Sequence, residues 1–268
     1  MSRSVVRWVV LLLITVSAVL ADTAKVEWVD ANKVDVVLQS QGGFVIQFLN
    51  ENFSQSSLAY TFRQTVDIRT VGLNGLDTGL PENERWYFVY LVGGGGRFPN
   101  EVGGAILSKA QNYSDVVMPS GTSTLRRIPF AVFREATGAF RRFRTAPGSS
   151  AVSYTDFETS AKFSVLGQAG DTSFRRVDLS RLVPPGAQLA SLVYTASESS
   201  GGSQSVFLRT PGSASAGYIV ASVTPAQPLA VGHLEVETDA SQGIEFGWNA
   251  SGGLLSLFVK GFQFTDLQ

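Results

Sequence analysis

From Lys25 onward, apolar and polar side chains alternate with a period of two, not the 3.6 of a helix. In "VEWVDANKVDVVLQS" the alternation runs through Val26 and Trp28, then through Val34, Val36 and Leu38, with "DANK" supplying a turn between them. That pattern predicts a β-hairpin. "GGFVIQFLN" reads as a further strand bounded by Gly42 and Gly43, and "LAYTFRQTVDIRTVG" alternates over 65–71.

The stretch 86–92 departs from this half-buried pattern. Trp86, Phe88, Tyr90 and Val92 fall on one face while Tyr87, Val89 and Leu91 fall on the other, so both faces are apolar. Such a strand suits a central position covered on two sides, or one with a face in an interface, and the core reading stands against one in which the aromatics line a ligand groove. The four glycines at 93–96 are expected to end it in a flexible loop, and a strand over 102–108 to pair back on it. A glycine-rich loop after a strand invites a phosphate-binding reading. Neither a Gly-Lys-Ser/Thr sequence nor a helical pattern follows it, which removes that reading.

Composition changes at "TAPGSSAVSYTD", residues 145–156, the best candidate for a boundary. Residues 22–147 then form a β-sandwich domain, and 148–268 a second domain or the second half of the same sandwich. Beyond the boundary, strand and turn signals recur about every ten residues, the spacing of an antiparallel β-sandwich or jelly roll. The clearest hairpin lies near the end: Ile244, Phe246 and Trp248 alternate, "NASGG" turns, and Leu255, Leu257 and Val259 return.

Residues 1–21 are different in kind. Arg3 and Arg7 precede an apolar run over 8–21, with Val19 and Ala21 at the −3 and −1 positions of a small-residue cleavage site. This is the form of a secretory signal peptide. The other reading is an uncleaved apolar helix that anchors the chain in a membrane or packs within an oligomer.

Composition sharpens the all-β expectation: 27 Gly, 10 Pro and 18 Phe favour strands and turns. The absence of cysteine excludes disulfides, zinc-thiolate sites and thiol nucleophiles, so stability must come from packing or assembly. A net charge of −1 gives the whole molecule no electrostatic bias toward nucleic acid. Of the 21 basic residues, however, 16 are Arg, and Arg126, Arg127, Arg134, Arg141, Arg142 and Arg144 fall in one short segment. Arg126, Arg127, Arg141, Arg142 and Arg144 are candidate ligand residues for an anionic glycan or phosphate, against a plainer reading as solvated strand and turn positions or contacts to a neighbouring subunit. The loop over 93–98 is a second candidate contact.

Catalytic chemistry is sparse. His233, the sole histidine, lies in the strand-like "AVGHLEVET" with no nucleophile elbow nearby. Glu82, Glu84, Asp178, Glu237 and Glu245 could supply a facing carboxylate pair only by chance geometry. "GLDTG", "AGDTS" and "VETDAS" lack the dense carboxylate spacing of a calcium loop. The expectation is no enzyme activity, no metal and no cofactor.

At "VDIRTVGLNGLDTGLPENERWYFVYLV", followed by "GGAILSKA", "VMPSG" and "LRRIPFAVFRE", the chain resembles a β-sandwich domain that recurs in tailed-bacteriophage tail-fibre, spike and related virion proteins. Gly72, Gly75, Leu76, Asp77, Gly79, Trp86, Tyr87, Val89, Tyr90, Leu107, Ser108, Pro119, Ser120, Gly121, Arg126, Arg127 and Ile128 match its pattern in order. "RRVDLSRLVPPGAQLASLVY" is similar to the segment that follows in the same proteins. Pro129 stands where that family has glycine. The likeness covers 66–194. It implies a virion protein contributing to host-surface or glycan attachment, without enzyme activity, whose partners are other virion proteins, further copies of itself and a cell-surface polysaccharide, not nucleic acid. The alternative is a secreted or membrane-anchored bacterial carbohydrate-binding module.

Overall fold

The computed structural model describes residues 23–40, 44–47, 52–55, 60–94, 98–145, 149–157, 160–198 and 201–264. The apolar helix expected over 1–21 lies outside them. The chain runs β1 (Thr23–Asp30), β2 (Lys33–Ser40), β3 (Phe44–Gln47), β4 (Asn52–Gln55), β5 (Tyr60–Asp67), β6 (Arg85–Gly94), β7 (Phe98–Ser108), β8 (Thr124–Arg134) and β9 (Phe143–Thr145). It continues with β10 (Ala151–Tyr154), β11 (Ser164–Ala169), β12 (Arg175–Asp178), β13 (Leu189–Ser197), β14 (Gln204–Arg209), β15 (Tyr218–Val223), β16 (Leu229–Glu237), β17 (Gly243–Trp248) and β18 (Leu254–Gln263). Two single-turn 3₁₀ helices, Tyr113–Asp115 and Ala161–Phe163, are the helical elements among the described residues, and neither is long enough to cross a membrane. The fold is an all-β antiparallel sandwich.

The first hairpin is the expected one. β1 and β2 pair from Thr23↔Gln39 to Asp30↔Lys33, and the Asn32 amide donates to the Asp30 carboxylate at 2.7 Å to close the turn. β5 completes a sheet of order β1-β2-β5, while β3 and β4 pair separately. The alternation read over 65–71 ends early, at Asp67. Its carboxylate accepts the Arg69 amide at 3.0 Å, the Thr70 amide donates to the Asp67 carbonyl at 3.1 Å, and the chain turns. Ile68 stays fully buried through that turn, so it contributes to the alternation without being in a strand.

β6 is central in the sheet β7-β6-β8 and buried along eight consecutive residues, as its two apolar faces require. Burying a side chain such as Tyr87 or Tyr90 contributes about 2 kcal/mol from apolar area. Each ring also satisfies its hydroxyl: Tyr87 donates to the Glu82 carbonyl at 3.0 Å and Tyr90 to the Ala110 carbonyl at 2.8 Å. The glycine tract does not end the strand where expected. Gly93 and Gly94 remain in β6 with shifts of register, and Gly94 takes φ 67°; positions 95–97 of the candidate loop lie outside the described residues. Across the sheet, Phe88 faces Ala131 but Tyr90 faces Arg127, so β8 carries extra residues opposite Val89. Pro129 sits in this bulge, where an N–H is dispensable.

The second half of the chain forms a sheet of order β16-β13-β18-β10-β9, with β11 also on β18, and a sheet of order β12-β17-β14-β15. Here the clearest expected hairpin is corrected. β17 pairs with β12 and β14, whereas β18 pairs with β13, β10 and β11, so the "NASGG" turn carries the chain from one sheet to the other. Ile244, Phe246 and Trp248 on one strand and Leu255, Leu257 and Val259 on the other are all buried in one cluster. Period-two alternation is the same for a hairpin and for an arch between layers. At the corner a Cβ on Gly253 would meet the Trp248 ring at 2.5 Å, so only glycine permits that approach.

One hydrophobic cluster extends from Val26 to Phe264 and includes residues on both sides of the expected boundary. β9 and β10 pair with each other across it, and Trp86 of β6 donates to the Ser180 carbonyl at 2.8 Å while meeting Phe262 edge-on at 5.7 Å.

Candidate ligand-binding site

Where the two halves meet, the segment "VPPGA" makes a tight turn. The Ala187 amide donates to the Pro184 carbonyl at 3.1 Å, and Gly186 takes φ 85°, the left-handed third position of a type II turn. A cavity opens on each side of it. They are partitioned by the contact of the Arg127 guanidinium with the Phe88 ring, 4.4 Å from its centroid.

The first cavity has a volume of about 550 Å³, and its walls include Gln111, Asn112, Tyr113, Arg127, Gly186 and Phe264. β8 brings in Arg127 beside the Pro129 bulge. The 3₁₀ turn after β7 brings in Tyr113, and the residue after β18 brings in Phe264. Arg127 is half-buried, and burial draws its guanidinium below the usual arginine value. Its side chain makes one long hydrogen bond, from Nη1 to the Gln111 carbonyl at 3.4 Å, and among the described residues no carboxylate pairs with it. The Tyr113 hydroxyl accepts the Arg127 backbone amide at 3.2 Å, which leaves its own proton free to donate. The cavity therefore presents donors around an uncompensated cation.

The second cavity, about 530 Å³, carries five charged side chains, and both of its acids are paired with cations of the same wall. Glu82 accepts from Lys109 and lies 3.4 Å from Arg85, while Glu84 pairs with Arg181 at 3.1 Å. The Lys109 hydrogen bond holds the Glu82 carboxyl below the usual carboxylate value. These two expected acids do share a cavity, but each is taken up in an ion pair with a cation of the same wall.

The five candidate arginines do not form one patch. Arg141 is 4% exposed, and the expectation that it contacts a ligand is corrected by its position. Its Nε and Nη2 grip the two Glu135 oxygens at 2.8 and 3.4 Å, Nη1 donates to the Arg181 carbonyl at 2.5 Å, and the group lies 4.3 Å over the Phe133 ring. Arg126 and Arg127 are neighbours on β8, so the strand sends their side chains to opposite faces. Arg142 is exposed and lies 5.0 Å over the Trp28 ring, and Arg144 is exposed on β9. Of the five, Arg127 is the one in the wall of either of these two cavities. Of its companions, Asn112 is marked in the sequence only as the start of an Asn-x-Ser triplet and Gly186 by the Pro-Pro-Gly turn, while Gln111, Tyr113 and Phe264 carry no local signal.

His233 sits exposed on β16, with Nε2 2.7 Å from the Ser191 hydroxyl of β13. The pair lies on a strand surface outside both cavities, and among the described residues no carboxylate bonds Nδ1, the third member that acyl transfer requires. Glu245 pairs with Arg209 at 2.7 Å, Asp239 with Arg176 at 2.7 Å, and Asp178 accepts the Ser180 amide at 2.8 Å. Among the described residues no group of three His, Asp or Glu is placed to hold a metal ion.

No family model matches this chain, and no curated protein matches it. Among solved structures, Arthrobacter globiformis T6 isomalto-dextranase complexed with panose aligns with 90% of this chain at 9% identity and a TM-score of 0.22. The chain spans 36% of that protein's length, and a likeness this low carries no inference about fold or activity.

Proposed function

We propose that the chain is a non-enzymatic structural component of a phage or phage-like particle, a spike, fibre or decoration subunit that contributes to attachment at a cell-surface polysaccharide. The supporting observation is the junction built by Asp77. Its Oδ2 accepts the buried Ser108 hydroxyl at 2.7 Å and the Val117 amide at 3.3 Å, and Oδ1 accepts the Thr78 amide at 2.8 Å. The Asp77 amide in turn donates to the Leu107 carbonyl at 2.9 Å. The glycine turn, the "ILS" strand end and the segment leading into "MPSG" are thus tied together by the residues that carry the resemblance to virion domains. Gly72, Asn74 and Gly79 take φ 94°, 65° and 74° to shape that turn. These residues do scaffolding work, which suits a domain selected for architecture. Exposed Tyr218 and Ile219 on β15 and Leu229 and Val231 on β16, both sheet-edge strands, supply apolar surface for self-association.

Mass spectrometry of purified particles tests this reading. Peptides of this chain at a fixed copy number per particle are expected, and their absence from particles contradicts it. The second reading, a secreted or anchored carbohydrate-binding module, is favoured by the apolar sequence over 8–21. A mature chain beginning at Asp22 and missing from particles would select it.

A further inference from the structure

We infer that the cavity at Arg127 binds the carboxylate of an acidic sugar, a uronic acid or related unit of a surface polysaccharide. This deepens the attachment role proposed above and rests on it for biological setting, though not for the chemistry.

The charge argument comes first. Arg127 is held against Phe88 and half-buried, and among the described residues its side chain makes one long hydrogen bond, which leaves most of its five donors unused there. Leaving such a cation desolvated is costly, and an anion within the cavity removes that cost. Around it lie the side-chain amides of Gln111 and Asn112, neither with a hydrogen-bond partner among the described residues, and the free Tyr113 proton. Asp115, which follows the Tyr113 turn, already accepts the Ser114 hydroxyl at 3.1 Å.

Ligand class follows from number and shape. Among the described residues the wall holds one guanidinium and no second cation, which matches a single planar carboxylate better than a doubly charged phosphate. The amides can pair with ring hydroxyls, and the half-buried Pro129 offers apolar surface to the C–H face of a pyranose. About 550 Å³ accommodates one or two sugar units. The Gly186 Cα lies so close that a Cβ there would meet Gln111 Nε2 at 2.9 Å and Arg127 Nη2 at 3.5 Å, so the turn fixes the spacing of these donors.

The test is calorimetric titration of the full chain with galacturonic acid, its methyl ester, galactose and inorganic phosphate. Binding of galacturonic acid is expected, with galactose and the ester weaker by roughly tenfold or more, the loss of a charge-assisted bond. Arg127→Gln should weaken the acid about tenfold to a hundredfold. Gln111→Ala alters an exposed side chain and keeps the test informative if the first variant folds poorly; it should weaken the acid several-fold. Equal binding of galactose, equal binding by both variants, or phosphate outcompeting the sugar acid would each overturn the inference. These results are independent of the particle assay: binding without particle membership removes the virion reading and leaves the site, and the reverse removes the site alone.

Discussion

Arg127 and Arg141 are spelled alike in the same basic segment, and both lie over a phenylalanine ring, at 4.4 Å and 4.3 Å. Their surroundings separate them. Burial pushes the Arg141 guanidinium down, but the nearby Tyr154 oxygen and the Glu135 carboxylate outweigh it and hold the group above its ordinary value. Among the described residues Arg127 has burial without an acid, and moves the other way. A buried cation with a bidentate acid belongs to the scaffold. One left with unused donors at a cavity wall is available to a ligand.

The largest expected effect is Arg141→Ala, which removes the buried bidentate partner of Glu135, leaves that carboxylate only the more exposed Lys162, and should cost about 3 kcal/mol in urea unfolding; a cost below about 1 kcal/mol would erase the distinction. Asp77→Ala should cost about 2 kcal/mol by the same measurement, because the buried Ser108 proton and the Val117 and Thr78 amides lose their acceptor. Acid titration comes next. Burial raises the Glu135 value, but hydrogen bonding and charge from Arg141 and Lys162 outweigh it, so the folded value lies below the ordinary one. Its stabilisation is therefore present above the unfolded value of about 4.3 and lost as pH falls below it. Glu135→Gln should flatten part of that loss, whereas Arg127 adds no slope there. Arg127→Gln should change stability by under about 1 kcal/mol, because relief of desolvation offsets the cation–π attraction to Phe88 that the variant forgoes. Arg144→Ala, fully on the surface, should stay within about 0.5 kcal/mol and leave sugar binding unchanged.

Much of the fold is legible in the letters. The doubly apolar 86–92 stretch is the central β6, and "DANK" makes the turn read from it. What the letters hide is partner choice. Ile244, Phe246 and Trp248 look the same whether the next strand pairs beside them or packs opposite them, and the arch is decided by which sheet buries each side. The site is hidden for a related reason. Nothing local marks Arg127 as unpaired and Arg141 as paired, because Glu135 reaches only one of them and the first cavity's wall is gathered from positions 111 to 264. The "VPPGA" turn is the one piece of that wall with a readable local signal, since the conformation at Gly186 favours glycine.

The most direct measurement is a crystal structure of the full chain with galacturonic acid. The expected result is a sugar carboxylate within about 3 Å of the Arg127 guanidinium, with the Arg141–Glu135 pair undisturbed. A sugar seated on the Arg142 and Arg144 face, or an Arg127 cavity left empty at saturating ligand, would contradict it.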